Sequence, residues 1–106
     1  MAGLGTFGVN RMLITPAGCA GRFGSMVISA EIPPTPRPGR EFCRYYNGGK
    51  CLYCVNNCPT GALKREGLDK QTCYRRLLEV AGQFTDLGLC DVCGKCALGP
   101  CATGPA

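Results

Sequence analysis

At 106 residues, with a formal charge of +5, ten cysteines and no histidine, the chain has the size of one small domain, or of a domain with a flanking segment, and its core alone is marginal. The lack of histidine excludes mixed cysteine–histidine zinc fingers, Rieske centres, HExxH metalloproteases and histidine-based triads. No stretch approaches the ~20 apolar residues that span a bilayer, and no charged n-region with an apolar core opens the chain.

The expected compartment is therefore soluble, reducing and cytoplasmic, with no membrane partner. There, clustered cysteines bind metal or do redox chemistry; a secreted disulfide framework is the competing reading.

Residues 1–39 form a glycine-rich arm and a connector. Arg11-Met12-Leu13-Ile14-Thr15 and Ser25 to Ile32 are β-rich runs that end at Pro16 and Pro33, so both read as strands. Ala17 to Gly21 between them is a loop that carries Cys19. Pro33-Pro34-Thr35-Pro36-Arg37-Pro38-Gly39 is a stiff polyproline-like connector.

Residues 40–106 hold nine of the ten cysteines. A short helix is expected over Leu52 to Cys58, stopping near Pro59. Ala62-Leu63-Lys64 and Leu68 suggest a small hairpin. Asp69 is placed to cap a helix from about Lys70 to Phe84, on which Cys73, Leu77, Val80, Ala81 and Phe84 share one face. From Cys90 onward the chain reads as a glycine-rich loop.

The strongest motif is Cys51-x2-Cys54-x3-Cys58-Pro59. Two-cluster bacterial ferredoxins use Cys-x2-Cys-x2-Cys-x3-Cys-Pro, whose last cysteine ligates the other cluster. Close spacing lets successive thiolates take successive corners of one cluster. The x3 step then aims the last thiolate away. Gly48 occupies the first position of that pattern, and Cys43 is its natural replacement, brought back by the Tyr45-to-Gly49 loop.

A second group, Cys90-x2-Cys93-x2-Cys96-x4-Cys101, closes the chain, and Cys73 lies between the groups. Crossing of the ferredoxin kind assigns Cys43, Cys51, Cys54 and Cys101 to one 4Fe–4S cluster, and Cys58, Cys73, Cys93 and Cys96 to a second. Cys19 and Cys90 are spare, as small apolar filler. A register that uses Cys90 with Cys93 and frees Cys96 stays open. So does a zinc-bound interaction module with four-cysteine sites. Two clusters at about −2 each would leave the holo protein near +1, so the basic charge is weak evidence for nucleic acid.

Gly3-Leu4-Gly5-Thr6-Phe7-Gly8 matches GxGxxG, but only two residues precede it, too few for the strand that a dinucleotide site requires. It reads as a tight turn. Lys64-Arg65 and Arg75-Arg76 read as a solvated face, with docking of an acidic redox partner or of phosphates as the functional alternative. Tyr45, Tyr46, Tyr53 and Tyr74 flank the proposed ligands and are expected to shield them from water.

The glycine run Ala2 to Asn10, then Leu13-Ile14-Thr15-Pro16, then the cysteine block ending in Pro59-Thr60-Gly61-Ala62, resembles the C-terminal part of epoxyqueuosine reductases, a layout shared with corrinoid-dependent reductive dehalogenases. The resemblance implies that two 4Fe–4S clusters relay electrons to cobalamin, whose reduced cobalt removes an epoxide oxygen from a modified tRNA base, or a halide. It implies that residues 1–39 resemble the edge of a corrinoid-binding domain, with Gly3, Gly5, Gly8 and Asn10 as corrin contacts. It also implies a redox partner and a corrinoid-binding chain or domain, and only an indirect link to tRNA. Cys101 is followed by Ala102 where many relatives have proline, and no larger N-terminal domain is present in the chain. The expected role is thus an oxidoreductase component that is not catalytically complete alone. The fold class expected is α+β, a two-cluster bacterial ferredoxin-like domain at 40–106 with a small β-rich N-terminal arm.

Overall fold

The computed structural model describes residues 3–104; Ala2 of the glycine run lies outside them. The first element is a hairpin. Strand β1 (Thr6–Phe7) pairs antiparallel with β2 (Leu13–Ile14), in the register Thr6 with Ile14 and Phe7 with Leu13. Its turn is closed by Gly8 N–H donating to the Met12 carbonyl and Arg11 N–H donating to the Gly8 carbonyl, at 3.0 Å each. Gly8 is required here by space. A Cβ on it would lie 2.7 Å from Ile14 Cδ1 and 2.8 Å from Asn10 Oδ1. Arg11 takes a left-handed φ of 61°, a conformation that costs a non-glycine residue about 1 kcal/mol or more.

The strand expected over 11–15 is thus confined to Leu13–Ile14, and it pairs backwards with Thr6–Phe7. The strand expected at 25–32 does not form. Residues 20–32 are exposed and carry no regular structure. Met26 and Val27 are apolar in succession, so they point to opposite faces of any strand, and no neighbouring strand offers a ladder or a surface to bury either face. Val27 is 99% exposed.

The helix expected over Leu52 to Cys58 is also shorter. Helix α1 covers only Tyr53–Asn56 and has no side-chain cap at its start. Pro59 and the Asn56-Asn57 pair stop its extension. Leu63 and Leu68 form a bridge, with Lys64 N–H donating to the Gly67 carbonyl at 2.8 Å.

Helix α2 runs Lys70–Gln83, capped by Asp69, whose carboxylate accepts from the N–H groups of Gln71 and Thr72 at 3.1 Å. Cys73, Arg76, Leu77, Val80 and Ala81 form its half-buried face, while Phe84, at 44% exposure, falls off the end. Short 3₁₀ turns follow at Thr85–Leu87 and Lys95–Ala97.

The small core joins the arm to the cysteine region. Ile14 and Cys19 from the arm pack with Phe42 and Ala97, and Met12, Cys43 and Cys101 lie against them. Phe42 N–H donates to Thr6 Oγ1 at 2.9 Å. The N–H groups of Cys19 and Ala20 donate to the carbonyls of Cys101 and Ala102 at 3.0–3.1 Å. Among the described residues no helix is long and apolar enough to cross a membrane.

Candidate metal centre

None of the ten cysteines is disulfide-bonded, so the disulfide-framework reading does not hold in this fold. Eight of the thiols line two cavities. Cys43, Cys51, Cys54 and Cys101 line the first, whose other walls include Val9, Ile14 and Tyr53. Cys58, Cys73, Cys93 and Cys96 line the second, with Leu63, Leu77 and Arg76 beside them. The second cavity has a volume of about 260 Å³ and the first about 20 Å³, both partly open to solvent. One water needs about 10–15 Å³ on this measure, so the second has room for a group of several atoms, while the thiols and Tyr53 draw close around the first.

Local chemistry sets each thiol in place. Cys54 rides on α1, with Cys51 just before it, and Cys58 follows the helix end. The chain from Cys43 closes a turn through Asn47 N–H to the Cys43 carbonyl (2.9 Å) and Gly49 N–H to the Arg44 carbonyl (2.8 Å), which carries Cys43 to the first cavity. Gly48 sits in this turn at φ 84°, exposed. Cys73 occupies the first turn of α2 on its half-buried face. Gly94, in the left-handed region at φ 68°, turns the chain between Cys93 and Cys96. Cys101 closes the set after Gly99, which packs flat on Tyr53: a Cβ there would lie 2.8 Å from the ring. Cys90 is half-buried and lines neither cavity.

The electrostatics suit a cationic guest. Burial pushes the Cys54, Cys73 and Cys96 thiols up, and neighbouring cysteines of the same group add to this by like-charge repulsion. Burial and the contact with Cys19 push Cys101 up to about 12. Cys54, Cys73, Cys96 and Cys101 are therefore held toward the neutral thiol until positive charge arrives beside them. For Cys58 burial alone would raise the thiol. The N–H groups of Leu63, Thr60 and Ala62, with the Thr60 hydroxyl, outweigh it and bring the thiol below its ordinary value.

The second cavity also holds an unpaired donor. Arg76 Nε is buried without a partner, while its Nη1 holds Glu79 at 3.3 Å. A guanidinium in the lining beside four cysteines suits a centre that is anionic once the protein's own thiolates are counted, as a thiolate-ligated 4Fe–4S cluster is. Among the described residues no three Cys, Asp or Glu side chains converge as a compact single-ion site. Tetrahedral zinc with sulfur at about 2.3 Å needs ligand atoms only about 3.8 Å apart.

The remaining residues singled out by sequence are spread. Gly3, Gly5 and Gly8 pack against the chain's own backbone and side chains: Gly3 on the Thr35 and Pro36 carbonyls, and Gly5 on that of Ile14. Asn10 is 5% exposed, with its amide already engaged. Of the tyrosines, Tyr53 lines the first cavity, while Tyr46 and Tyr74 are 44% and 54% exposed. Lys64, Arg65 and Arg75 are exposed, and Arg65 pairs with Glu66 at 2.8 Å.

Sequence reasoning missed two features. Cys19, read as filler, lies against Cys101, and Arg76, read as surface, lines the second cavity. Spacing gives no signal for the first, because 82 residues separate the partners. The second was legible from position: Arg76 follows Cys73 by three, one helical turn on the same face.

Two groups of four thiols, each lining one cavity, are compatible with metal binding, and the known relatives narrow the class. The chain is related in sequence to epoxyqueuosine reductases. It is 36% identical over 83 residues to that of Bacillus anthracis, covering 76% of this chain and 20% of the relative. It is 36% identical over 87 residues to that of Staphylococcus aureus, covering 80% and 21%. It is 41% identical over 71 residues to that of Listeria monocytogenes, covering 62% and 16%. The chain spans about a fifth of the length of these relatives. No family model matches it, and no solved structure does.

Proposed function

We propose that this chain carries two 4Fe–4S clusters and serves as the electron-transfer part of an oxidoreductase of the epoxyqueuosine reductase kind, in a reducing compartment. One observation carries the reading: eight cysteines, drawn from four separate stretches of chain, fall into two groups of four around two adjacent cavities. On this reading the domain is of the two-cluster ferredoxin type. Cys43, Cys51, Cys54 and Cys101 hold one cluster, and Cys58, Cys73, Cys93 and Cys96 hold the other. The clusters supply one-electron relay.

The protein's own part is to fix the thiolates, exclude water and supply donors. Val9 and Ile14 wall the first cavity with apolar surface. Leu63 N–H donates to Cys58 Sγ at 3.5 Å, and Arg76 lines the second cavity. Such donors stabilise the added negative charge of a reduced centre. The destination of the electrons on this reading is a corrinoid centre on another domain or chain, as the resemblance to epoxyqueuosine reductases implies; the sequence similarity to these enzymes supports the reading.

Anaerobic purification tests this. The chain should be brown, absorb broadly in the visible, and carry about eight irons with matching sulfide. A colourless chain with stoichiometric zinc overturns the proposal and makes the chain a zinc-bound interaction module. Added cobalamin tests the destination. Binding by the chain itself would make direct participation in cobalamin-dependent reduction the better reading.

A further inference from the structure

Behind the first cysteine ring lies a buried polar group that the electron-transfer reading does not use. Cys19 is fully buried, and its Sγ is 3.7 Å from Cys101 Sγ. Cys101 faces the first cavity. Cys19 does not line it, and instead borders a different cavity on the other side. The two stretches are clamped by the backbone bonds from Cys19 and Ala20 to Cys101 and Ala102. Gly18, at φ 103°, permits the approach: a Cβ there would collide with the Ala102 carbonyl.

Asn10 completes the group. Its Nδ2 is 3.4 Å from Cys19 Sγ, 3.4 Å from the Cys96 carbonyl and 3.9 Å from Cys101 Sγ. The amide orientation is fixed independently, because Asn10 Oδ1 accepts the Met12 N–H at 3.1 Å. The two N–H bonds of Asn10 must therefore face the sulfurs and the Cys96 carbonyl. A thiolate that ligates iron can only accept hydrogen bonds. Once Cys101 is a ligand, the proton between the two sulfurs belongs to Cys19.

We propose that Asn10 and Cys19 are positioning residues that donate hydrogen bonds to the Cys101 thiolate and thereby raise the reduction potential of the cluster held by Cys43, Cys51, Cys54 and Cys101. The inference rests on the proposed cluster ligation. The sign follows from charge. Reduction adds one electron to the cluster and its thiolates, and donors aimed at a ligand sulfur stabilise that extra negative charge. No covalent bond changes and Cys19 keeps its proton. Asn10 also reaches the Cys96 carbonyl, so one buried side chain ties together segments that ligate both clusters.

The test is a redox titration of the reconstituted chain, followed by electron paramagnetic resonance, with Cys19→Ala and Cys19→Ser. Both variants should retain two clusters. Cys19→Ala should make one centre at least tenfold harder to reduce, a shift of about 59 mV for one electron, and leave the other near its original value. Cys19→Ser, which keeps a donor of similar size, should recover most of the shift. A merely structural role predicts no such rescue. Unchanged potentials in Cys19→Ala, or equal shifts in Ala and Ser, overturn the proposal. So does loss of one cluster in Cys19→Ala with its retention in Cys101→Ala, which would make Cys19 the ligand.

A measurement on the unaltered chain covers the case in which the variants fail to assemble. Iron–thiolate vibrations in the resonance Raman spectrum should shift in D2O, and an unshifted spectrum overturns the donor set. A chain that binds no iron at all refutes the cluster reading itself, an outcome distinct from a loaded chain with unmoved potentials.

Discussion

Ile14 is the residue on which the core and the first cavity both depend. It is fully buried, packs with Cys19, Phe42 and Ala97, and forms a wall of the cavity ringed by Cys43, Cys51, Cys54 and Cys101. Truncation to alanine removes three carbons from a site with little freedom to collapse, since β2 and the Cys19 loop are held by backbone bonds on both sides. An isoleucine of this burial costs about 2–5 kcal/mol when cut to alanine. That is a large share of the roughly 5–15 kcal/mol that holds a small domain together. At a urea slope of about 2 kcal/mol/M, the midpoint should fall by about 1–2.5 M. The control is Val27→Ala, the same kind of truncation at a residue 99% exposed, which should stay within about 0.5 kcal/mol of the parent. The assay is anaerobic urea unfolding, with circular dichroism and visible absorbance followed together. Equal midpoints for Ile14→Ala and the parent, or a Val27→Ala loss as large, would refute the core described here.

Three further outcomes follow from named contacts. Gly8→Ala should destabilise the protein by about 1–3 kcal/mol in the same unfolding assay, because its Cβ meets Ile14 and Asn10 at 2.7 and 2.8 Å. Cys96→Ala should lose about half the bound iron while Cys90→Ala keeps it, measured by iron and sulfide analysis, since Cys96 lines the second cavity and Cys90 lines neither of the two. Asp69→Ala should speed amide exchange in the first turn of α2, at Gln71 and Thr72, by removing its capping carboxylate. Hydrogen bonds from Thr72 and Gln71 hold the Asp69 carboxyl below its ordinary value near 3.8. The sign for a depressed carboxylate is fixed: its contribution is full above that value and disappears as pH falls through the lower folded one. The exchange difference between parent and Asp69→Ala should therefore be present at neutral pH and vanish in strong acid.

Much of the local structure was legible in the residues themselves. Asp69 before an amphipathic run specified α2 and its start, because a capping carboxylate and a 3.6-residue apolar period are both local signals. The Leu63–Leu68 turn was similarly local. The run from Ser25 to Ile32 was not: β-rich composition makes a strand only where a neighbouring strand pairs with it, and none does. The partner of β2 proved to be Thr6–Phe7, because the short Gly8–Met12 turn closes the hairpin on the N-terminal side.

The sequence by itself determined the available chemistry: ten thiols, no imidazole, and a Cys-x2-Cys-x3-Cys-Pro spacing of the kind two-cluster ferredoxins use. Tertiary structure decided what stands behind each thiol. Only the folded chain sets Cys19 and Asn10 against Cys101, and brings Arg76 into the lining of one cavity with Cys58, Cys73, Cys93 and Cys96. The physical reason is that ligand spacing follows chain geometry over a few bonds. The polar groups that stand beside a buried thiol come from wherever packing brings them, here from as far as 91 residues away.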